Sequence, residues 1–585
     1  MKNILLLLVS TTLIANTLFA QVIINEYSAS NLAQFVDANG KYEDWIELYN
    51  VSGVSVDIGG MYLSDRLSKP TKWMIPVGTS VPAFGHLLFW CSGRDTLLMG
   101  QYHTSFKLSQ TTGRDSVLLS SPSGNIIESW PLTTTQVENS LCRETDGSGI
   151  WKFCTTPTPG TANNGSSQIN GYALPVAMSL TAGFYTGTQT VSIATFEPNS
   201  VIRYSTNGNA PTLADNIYST PISISANTVL KATVFSNDPL IFPSLPATNT
   251  YFIDENISLA VMSIGADQVQ DLANGTGTIK PVGSIEYFDI NGIRMAESYG
   301  TLNRHGQDSW VLDQRSIDWV SRDEMGHSKS INAQLFNYSP RNQFQRIIMR
   351  ASGDDNYPAI NDGDHDGACH IRDEYVHILA QKGGMKLDVR AVERIVVFLN
   401  GDYWGVYGMR ERPVDHDYIK EYYGHGKYEL QFLSTWGATE AEYGGQQAFA
   451  DWYQLRTFIL NNDMSIAANY QYVDDNLRLT SLCDYMIANL NSVASDWLNY
   501  NTGWYRGLNP TGNHKKWGYI LWDNDATFDY YINYSGVPNT NPDAEPCDID
   551  DIGDYMDQFF SGGFFADSAV GMHEKIFEKL QNENE

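Results

Sequence analysis

Between residues 21 and about 165, apolar and polar positions alternate with a period of two. "QVIINEYSASN", "DWIELYNVSG", "VDIGGMYLSD" and "GHLLFWCSG" are such runs, and clusters of Gly, Asn and Ser separate them. Successive side chains of a strand point to opposite faces, so short alternating runs between turn residues predict a β-sandwich over 21–165. The stretch "TTPTPGTANNGSSQING" at 155–171 is rich in Pro, Gly, Ser and Asn and reads as a linker. A second β segment follows at 172–253. Within it Tyr204, Asn207-Gly208 and Pro211-Thr212 outline a hairpin, because Asn-Gly suits a tight turn.

From about 258 the pattern changes. "GSIEYFDI", "RSIDWVSRD" and "RIIMRAS" are strand-like, and "NGDYWGVYGMRE" reads as a hairpin leading into a strand. "IRDEYVHILAQKGG" and "NLRLTSLCDYMIANLNSV" carry helical spacing. In the latter, Leu477, Leu479, Leu482, Met486, Ile487 and Leu490 fall on one face, and the helix should end near Ser492. Strands followed by helices predict a two-lobed α+β domain over 258–585. The closing "GMHEKIFEKLQNENE" is helical without a cap, so the expectation is that this domain is truncated at its C-terminus. The whole reads as a multi-domain chain with two all-β units ahead of one α+β unit.

Residues 1–20 read as a signal peptide: one Lys, an apolar core from Ile4 to Val9, and the small residue Ala20 at the cut. No later run reaches the length of a membrane span. The expectation is a secreted or cell-surface protein with no integral membrane segment. The 42% hydrophobic and 12% aromatic content excludes wholesale disorder. The formal charge of −29 disfavours nucleic acid as a partner, since phosphate backbones require clustered Lys and Arg. The six cysteines form no CxxC and no Cys/His zinc spacing. Cys142 and Cys154 are close enough in sequence to pair, but large domains do not need staples, and the expectation is that they stay unpaired.

Candidate chemistry lies late in the chain. Asp496 follows the helix ending near Ser492, and Asn501 stands five residues on. Protein kinases space a catalytic Asp and a magnesium-binding Asn this way, so that a short loop aims both at one transferring phosphoryl group. The run "KKWGYILW" reads as a buried strand ending in Asp523, a good position for a carboxylate that meets a metal. In an extended chain Asp525 would point the same way as Asp523 and is a second ligand candidate. Ala494-Ser495 stand where a kinase has His-Arg, and there is no Asp-Phe-Gly, which argues against an ordinary protein kinase.

Three resemblances accompany these patterns. "IINEYSASN…DWIELYN…VDIGGMYLSD…KWMIP…SFKLS" resembles the bacterial lamin-tail domain, an immunoglobulin-like module. "VIRYSTNGNAPT" with "ISANTVLKATVF" resembles the small β-sandwich at the C-terminus of chitobiases. "VVFLNGDYWGVYGMRERPVDHDYI", "ASDWLNYNTGWYR" and "WGYILWDNDATF" resemble, in order, the CotH family of spore-coat kinases and their bacterial relatives. The last resemblance implies an atypical kinase-like fold that binds ATP and magnesium and phosphorylates a protein hydroxyl. It implies Asp496 as the catalytic acidic residue, Asp523 as the metal ligand, and Asn501 as the accompanying amide. It also places Arg315 of "DQRSIDW" where family members carry a phosphate-pairing Lys, and Glu411 in the nucleotide site. Arg can clamp phosphate bidentately but does not replace Lys atom for atom.

Two further stretches resemble ligand loops. "GTGTIKPVG" at 275–283 lacks the full glycine-rich phosphate signature and reads as a flexible connector. "NDGDHDGACHIRD" sets Asp362, Asp364 and Asp366 as in the start of a calcium loop, with Asp373 at its twelfth position. The alternative for these is a solvated acidic loop, with Asp373 capping a helix or pairing with Arg350. Tyr403, Trp404 and Tyr407 read as core rather than as base-stacking groups. Two functional classes compete: an exported CotH-like kinase using ATP, magnesium and an unidentified protein substrate, or an inactive adhesion or scaffold protein whose β modules bind glycan or protein. Glycan hydrolysis is disfavoured because no flanking carboxylate pair can be assigned.

Overall fold

The computed structural model describes residues 21–357, 367–412, 414–494, 497–498, 500–528 and 571–582. The first unit is a sandwich. An eight-stranded sheet centred on Val22–Ser28 and Asp44–Asn50 faces a four-stranded sheet containing Tyr62–Ser64 and Ser116–Ser120. The inward positions of the alternating runs supply its core: Ile24, Ile46, Leu48, Leu63, Phe89, Val117 and Leu119.

The Pro/Gly/Ser/Asn stretch does not hang free. Gln168–Ile169 adds a strand to the large sheet, and the Thr158 and Gly160 amides donate to Glu26 and Glu47. Those glutamates face each other across paired strands with no solvent exposure. Burial pushes the Glu47 carboxyl up to about 8 and that of Glu26 upward as well. The residues that look like a linker therefore satisfy two buried carboxyls, which a free tether could not do. Cys142 and Cys154 are joined by a disulfide across neighbouring strands, contrary to the expectation from size alone.

The second unit has a five-stranded sheet, with Thr228–Ser236 and Ala247–Ile253 at its centre, and two flanking strand pairs. Its Asn207-Gly208 turn is not a two-residue hairpin. Ser200–Ser205 pairs with Asn216–Ile217 across a longer loop, and Gly208 instead meets a second Asn-Gly turn, at Asn400-Gly401. A Cβ on Gly208 would run into the Asn400 carboxamide. That carboxamide pairs with the backbone of Ala266 through both its atoms, 3.0 Å each.

The third unit has two lobes. Seven strands from Ala260–Ala266 to Asp402–Arg410 close into a barrel filled by Met262, Ile285, Leu302, Trp319, Ile347, Val397 and Met409. Every neighbouring pair is antiparallel except Ala260–Ala266 with Val392–Leu399. The helix Arg372–Lys382 is inserted between two barrel strands, Arg346–Arg350 and Val392–Leu399. The second lobe carries a four-stranded antiparallel sheet, in which Leu430–Trp436, Thr502–Gly507 and Gly518–Ile520 are neighbours, with helices packed on it. Trp452 lies 5.5 Å from Trp504 and 5.4 Å from Trp517 at the heart of that packing. The helix Leu479–Asn491 buries Leu482 and Met486 as its spacing predicts, but Ile487 faces solvent and Tyr485 takes the inner position. Strands followed by helices thus give the expected two-lobed α+β unit, with its first lobe closed into a barrel.

The units pack on one another. Phe184 and Phe252 of the second unit stack at 4.4 Å and continue into Phe288 and Phe398 on the barrel's outer face. One carboxylate gathers several of the first unit's contacts to the barrel. Asp323, in the loop after barrel strand Ile317–Ser321, accepts from Ser109 Oγ, from the Gln110 and Thr111 amides, and from Thr111 Oγ1. Removing a shared acceptor leaves several donors without their partner at once. Asp323→Ala is expected to lower unfolding free energy by about 2 kcal/mol and to expose the 109–111 segment. Denaturant unfolding with limited proteolysis checks this; wild-type behaviour in both would remove Asp323 as the docking point.

Candidate functional site

The site begins at Arg350, the last residue of strand Arg346–Arg350 and 2% exposed. A buried guanidinium requires anionic partners, and three carboxylates surround this one. Nη2 binds Asp525 Oδ2 at 2.8 Å and Asp523 Oδ1 as well, while Nη1 lies 3.8 Å from Asp373 Oδ2. Asp373 opens the helix Arg372–Lys382 and is held in turn by Arg410, at the end of strand Asp402–Arg410, and by the Asn524 amide at 2.8 Å. Burial opposes its charge, but Arg410 and then Arg350 hold its carboxyl well below the usual carboxylate range.

Asp523 and Asp525 reach Arg350 by a route the strand pattern does not foresee. The strand ends at Ile520, and Asp523 adopts a left-handed backbone with φ of 59°, so the chain turns instead of continuing extended. The turn brings both carboxylates onto one nitrogen. The opposing wall is the loop Ala351–Asn356. Ser352 and Gly353 both have positive φ, 66° and 58°, and the Asp354 amide donates to Asp525 Oδ2 at 2.9 Å. A Cβ on Gly353 would collide with Asp525 Oδ2, so glycine is needed for this approach. Asp355, fully buried, fixes the other end of the loop by accepting from the Cys369, Ile371 and Arg372 amides at 2.7 to 2.9 Å. That carboxylate satisfies backbone donors at the start of the helix bearing Asp373.

The two ligand candidates differ in environment. Asp523's side chain is 33% exposed and Asp525's 4%. Burial first, then the neighbouring Asp523 charge, pushes the Asp525 carboxyl well above its ordinary range, with Arg350 working the other way. Among the described residues no group of three or more His, Cys, Asp or Glu side chains converges as a cage. Magnesium does not need one. It takes oxygen ligands and is commonly held by one or two carboxylates with substrate phosphates and water. One open and one buried carboxylate on a single turn fit that donor set.

Arg315 donates Nε to the Trp310 carbonyl at 2.8 Å and Nη1 to the Ala273 and Asp313 carbonyls at 3.2 Å. Its guanidinium lies beside Gly275 of the glycine-containing connector, which is thereby packed on the barrel. Its segment does border the acidic loop: Gln314 O accepts from Asn356, and Ser316 Oγ accepts from the Ala351 amide. Glu411 is 1% exposed, and Arg341 binds it at 3.0 Å. Its hydrogen bonds go to Arg341 and the Ala391 amide, away from the Asp523 group. Asn501 is buried with φ of 49° immediately before strand Thr502–Gly507. Asp496, Asp362, Asp364 and Asp366 lie outside the described residues. Asp373, the twelfth position of the calcium-like stretch, turns its carboxylate inward to Arg410 and Arg350. Tyr407 is core, whereas Tyr403 is exposed.

Sequence reasoning named Arg350 only as a partner for Asp373 and did not find it as the centre of the site. Its contacts to Asp523 and Asp525 span 173 and 175 residues, and no local spacing announces such pairs. The available signal was the Gly353-Asp354-Asp355 run directly after a strand.

A barrel lobe, a helical lobe and an Arg–Asp centre contributed by both define a kinase-like unit behind two β-sandwiches. Comparison with known families agrees. Residues 17–133 match the lamin tail domain, 180–239 the chitobiase/beta-hexosaminidase C-terminal domain, and 338–558 the CotH kinase protein family. The CotH match starts within the third unit, after the barrel strand Ile317–Ser321. No curated protein matches the chain.

Ionising Asp525 is unfavourable in its buried setting, and a divalent cation favours the ionised form. Magnesium binding is therefore expected to release protons, with apparent affinity rising as pH increases from acidic to neutral. Calorimetry in buffers of different ionisation enthalpy reads the proton count, and binding without proton release would contradict the placement of Asp525.

Proposed function

We propose that this chain is an exported CotH-like atypical protein kinase that transfers the γ-phosphoryl group of ATP to a serine or threonine hydroxyl of a protein. The observation that carries the reading is the convergence of Asp523 and Asp525 on Arg350, which also faces Asp373 of the helix following its strand. Protein kinases pair a strand cation with a carboxylate of the next helix and hold metal by an Asp after a later strand. Arg350, Asp373 and Asp523 stand in that relation.

When bound, magnesium would neutralise charge on the β- and γ-phosphates. The chain's own residues do the rest. Asp523 and Asp525 would hold the metal, with Asn501 as a further oxygen ligand. Arg350 keeps the two carboxylates in register. Arg315, beside the connector, pairs with phosphate, and Glu411 belongs to the same nucleotide lobe. Asp496 accepts the proton of the acceptor hydroxyl as its oxygen bonds to phosphorus and the bond to ADP breaks. Most of the rate enhancement then comes from positioning and fixed charge. Export follows from the signal-like residues 1–20, and no helix among the described residues is long and apolar enough to cross a membrane.

One observation favours the competing reading of an inactive scaffold: Arg350 Nη2 already spans an oxygen of each ligand carboxylate. Titrating ATP into the full chain with and without magnesium, beside Asp523→Ala, separates the two. Magnesium-dependent binding that the variant loses is expected. Absence of nucleotide binding in the intact protein would overturn the kinase reading in favour of the scaffold.

A further inference from the structure

Where the three units meet, the structure forms a half-open cleft of about 540 Å³ that shares no residue with the Asp523 site. Gln136 comes from the first unit, Tyr172, Met178 and Leu245 from the second unit and its entry, and Arg294 and Glu297 from the barrel. Cavities of this size and mixed lining are the usual form of a small-molecule site.

Its polar groups are built in, not incidental to the surface. Arg294 Nη1 donates to the Thr248 carbonyl at 3.0 Å, to Asn249 Oδ1 at 2.9 Å and to Glu286 Oε1 at 2.7 Å. Glu286 is 1% exposed and is bound also by Thr250. The same Arg294 nitrogen lies 3.6 Å from Glu297 Oε2, and Glu286 and Glu297 stand opposite each other on paired strands. Like charges in that register destabilise a sheet unless something offsets them. Lys231 of the second unit reaches in to do so, buried, with Nζ on the Gly265 carbonyl at 2.7 Å. Tyr172 is fixed as well, its hydroxyl accepting from the Gln136 amide at 3.0 Å and from Asn139 at 2.8 Å.

The charges around the cavity cancel. Arg294 and Lys231 face Glu286 and Glu297, so an anion or a cation gains no net attraction there. What remains is an acceptor in Glu297, a donor in the part of Arg294 that Nη1 does not use, and apolar walls from Met178, Leu245 and Tyr172. A ligand that both donates and accepts, carries no charge and has C–H faces satisfies all of these.

We propose that the cavity at the three-unit junction binds a neutral, polyhydroxylated ligand of the short-saccharide class, held by hydroxyl contacts to Arg294 and Glu297 and by packing on Tyr172, Met178 and Leu245. This does not depend on phosphoryl transfer. It gives the β modules a ligand site that neither could form alone, because the barrel supplies the polar pair.

The test uses the full chain and a panel of neutral mono-, di- and trisaccharides that includes maltose, cellobiose and lactose, followed by saturation-transfer NMR and calorimetry. Glucuronate serves as a charged control. At least one neutral sugar should bind with a millimolar or tighter Kd. Glu297→Gln should weaken it by roughly tenfold, the scale of one charge-assisted hydrogen bond. Met178→Trp, which fills the cavity with apolar volume, should abolish binding while thermal unfolding stays near wild type. If Met178→Trp fails to fold, Glu297→Gln still decides the matter. Binding by no neutral sugar, binding indifferent to Glu297→Gln, or preference for glucuronate would each overturn the proposal.

Discussion

One guanidinium organises the third unit. Arg350 is buried, and its charge is tolerable only because Asp373, Asp523 and Asp525 are gathered around it. The carboxylates come from two elements: Asp373 from the inserted helix, and Asp523 and Asp525 from the turn after the last strand of the second lobe. The ion cluster is thus also the seam between the lobes. Losing one member would strand uncompensated charge in a closed interior, a change that typically costs about 3 to 5 kcal/mol. The seam continues through backbone pairing, with the Asp388 amide on the Tyr519 carbonyl and the Leu521 amide on the Asp388 carbonyl. Barrel and helical lobe are locked in register where Asp523 and Asp525 emerge.

A cluster so arranged is poised rather than at rest. Asp525 is buried beside a like charge and is pushed toward its protonated form, while Asp523 stays partly open to solvent. Two carboxylates share one nitrogen of Arg350. A divalent cation would relieve the competition by supplying the positive charge that a single guanidinium has to divide. The strained left-handed residues Ser352 and Asp523 lie in the two loops that face each other across this point. Such strain persists where surrounding structure over-determines it, and here Asp355 and the helix it caps do so. The β modules are not passive tethers beside this centre, since one is anchored through Asp323 and the other shares a buried charge network with the barrel.

Much of this was legible in the residues, though not always for the right reason. Period-two alternation marked the strands of the first sandwich, because a strand must bury alternate side chains. The apolar run ending in Asp523 located the candidate ligands, but Asp525 joins Asp523 through a left-handed turn and not through strand periodicity. Composition misled at 155–171, where small polar residues look like a tether yet supply amides to Glu26 and Glu47. It misled again at Cys142 and Cys154, which pair for reasons of strand adjacency that chain size does not reveal. Asn207-Gly208 carries good hairpin chemistry but spends it on docking against Asn400. Arg315 and Glu411 were marked by position relative to known motifs, and their hydrogen bonds go to local carbonyls and to Arg341. Arg350 was visible only as a helix partner, since its defining contacts join residues more than 170 apart. Periodicity reports what is local, and the site is assembled from what is not.

The kinase reading makes Asp523 and Asp525, held by Arg350, the metal ligands of a nucleotide site. Its most direct test is a crystal of the full chain grown with manganese and a non-hydrolysable ATP analogue, measured at the manganese absorption edge. That placement predicts an anomalous peak bound by both carboxylates, with phosphate oxygens completing its shell. A peak elsewhere, or nucleotide density with no metal at these residues, would contradict it.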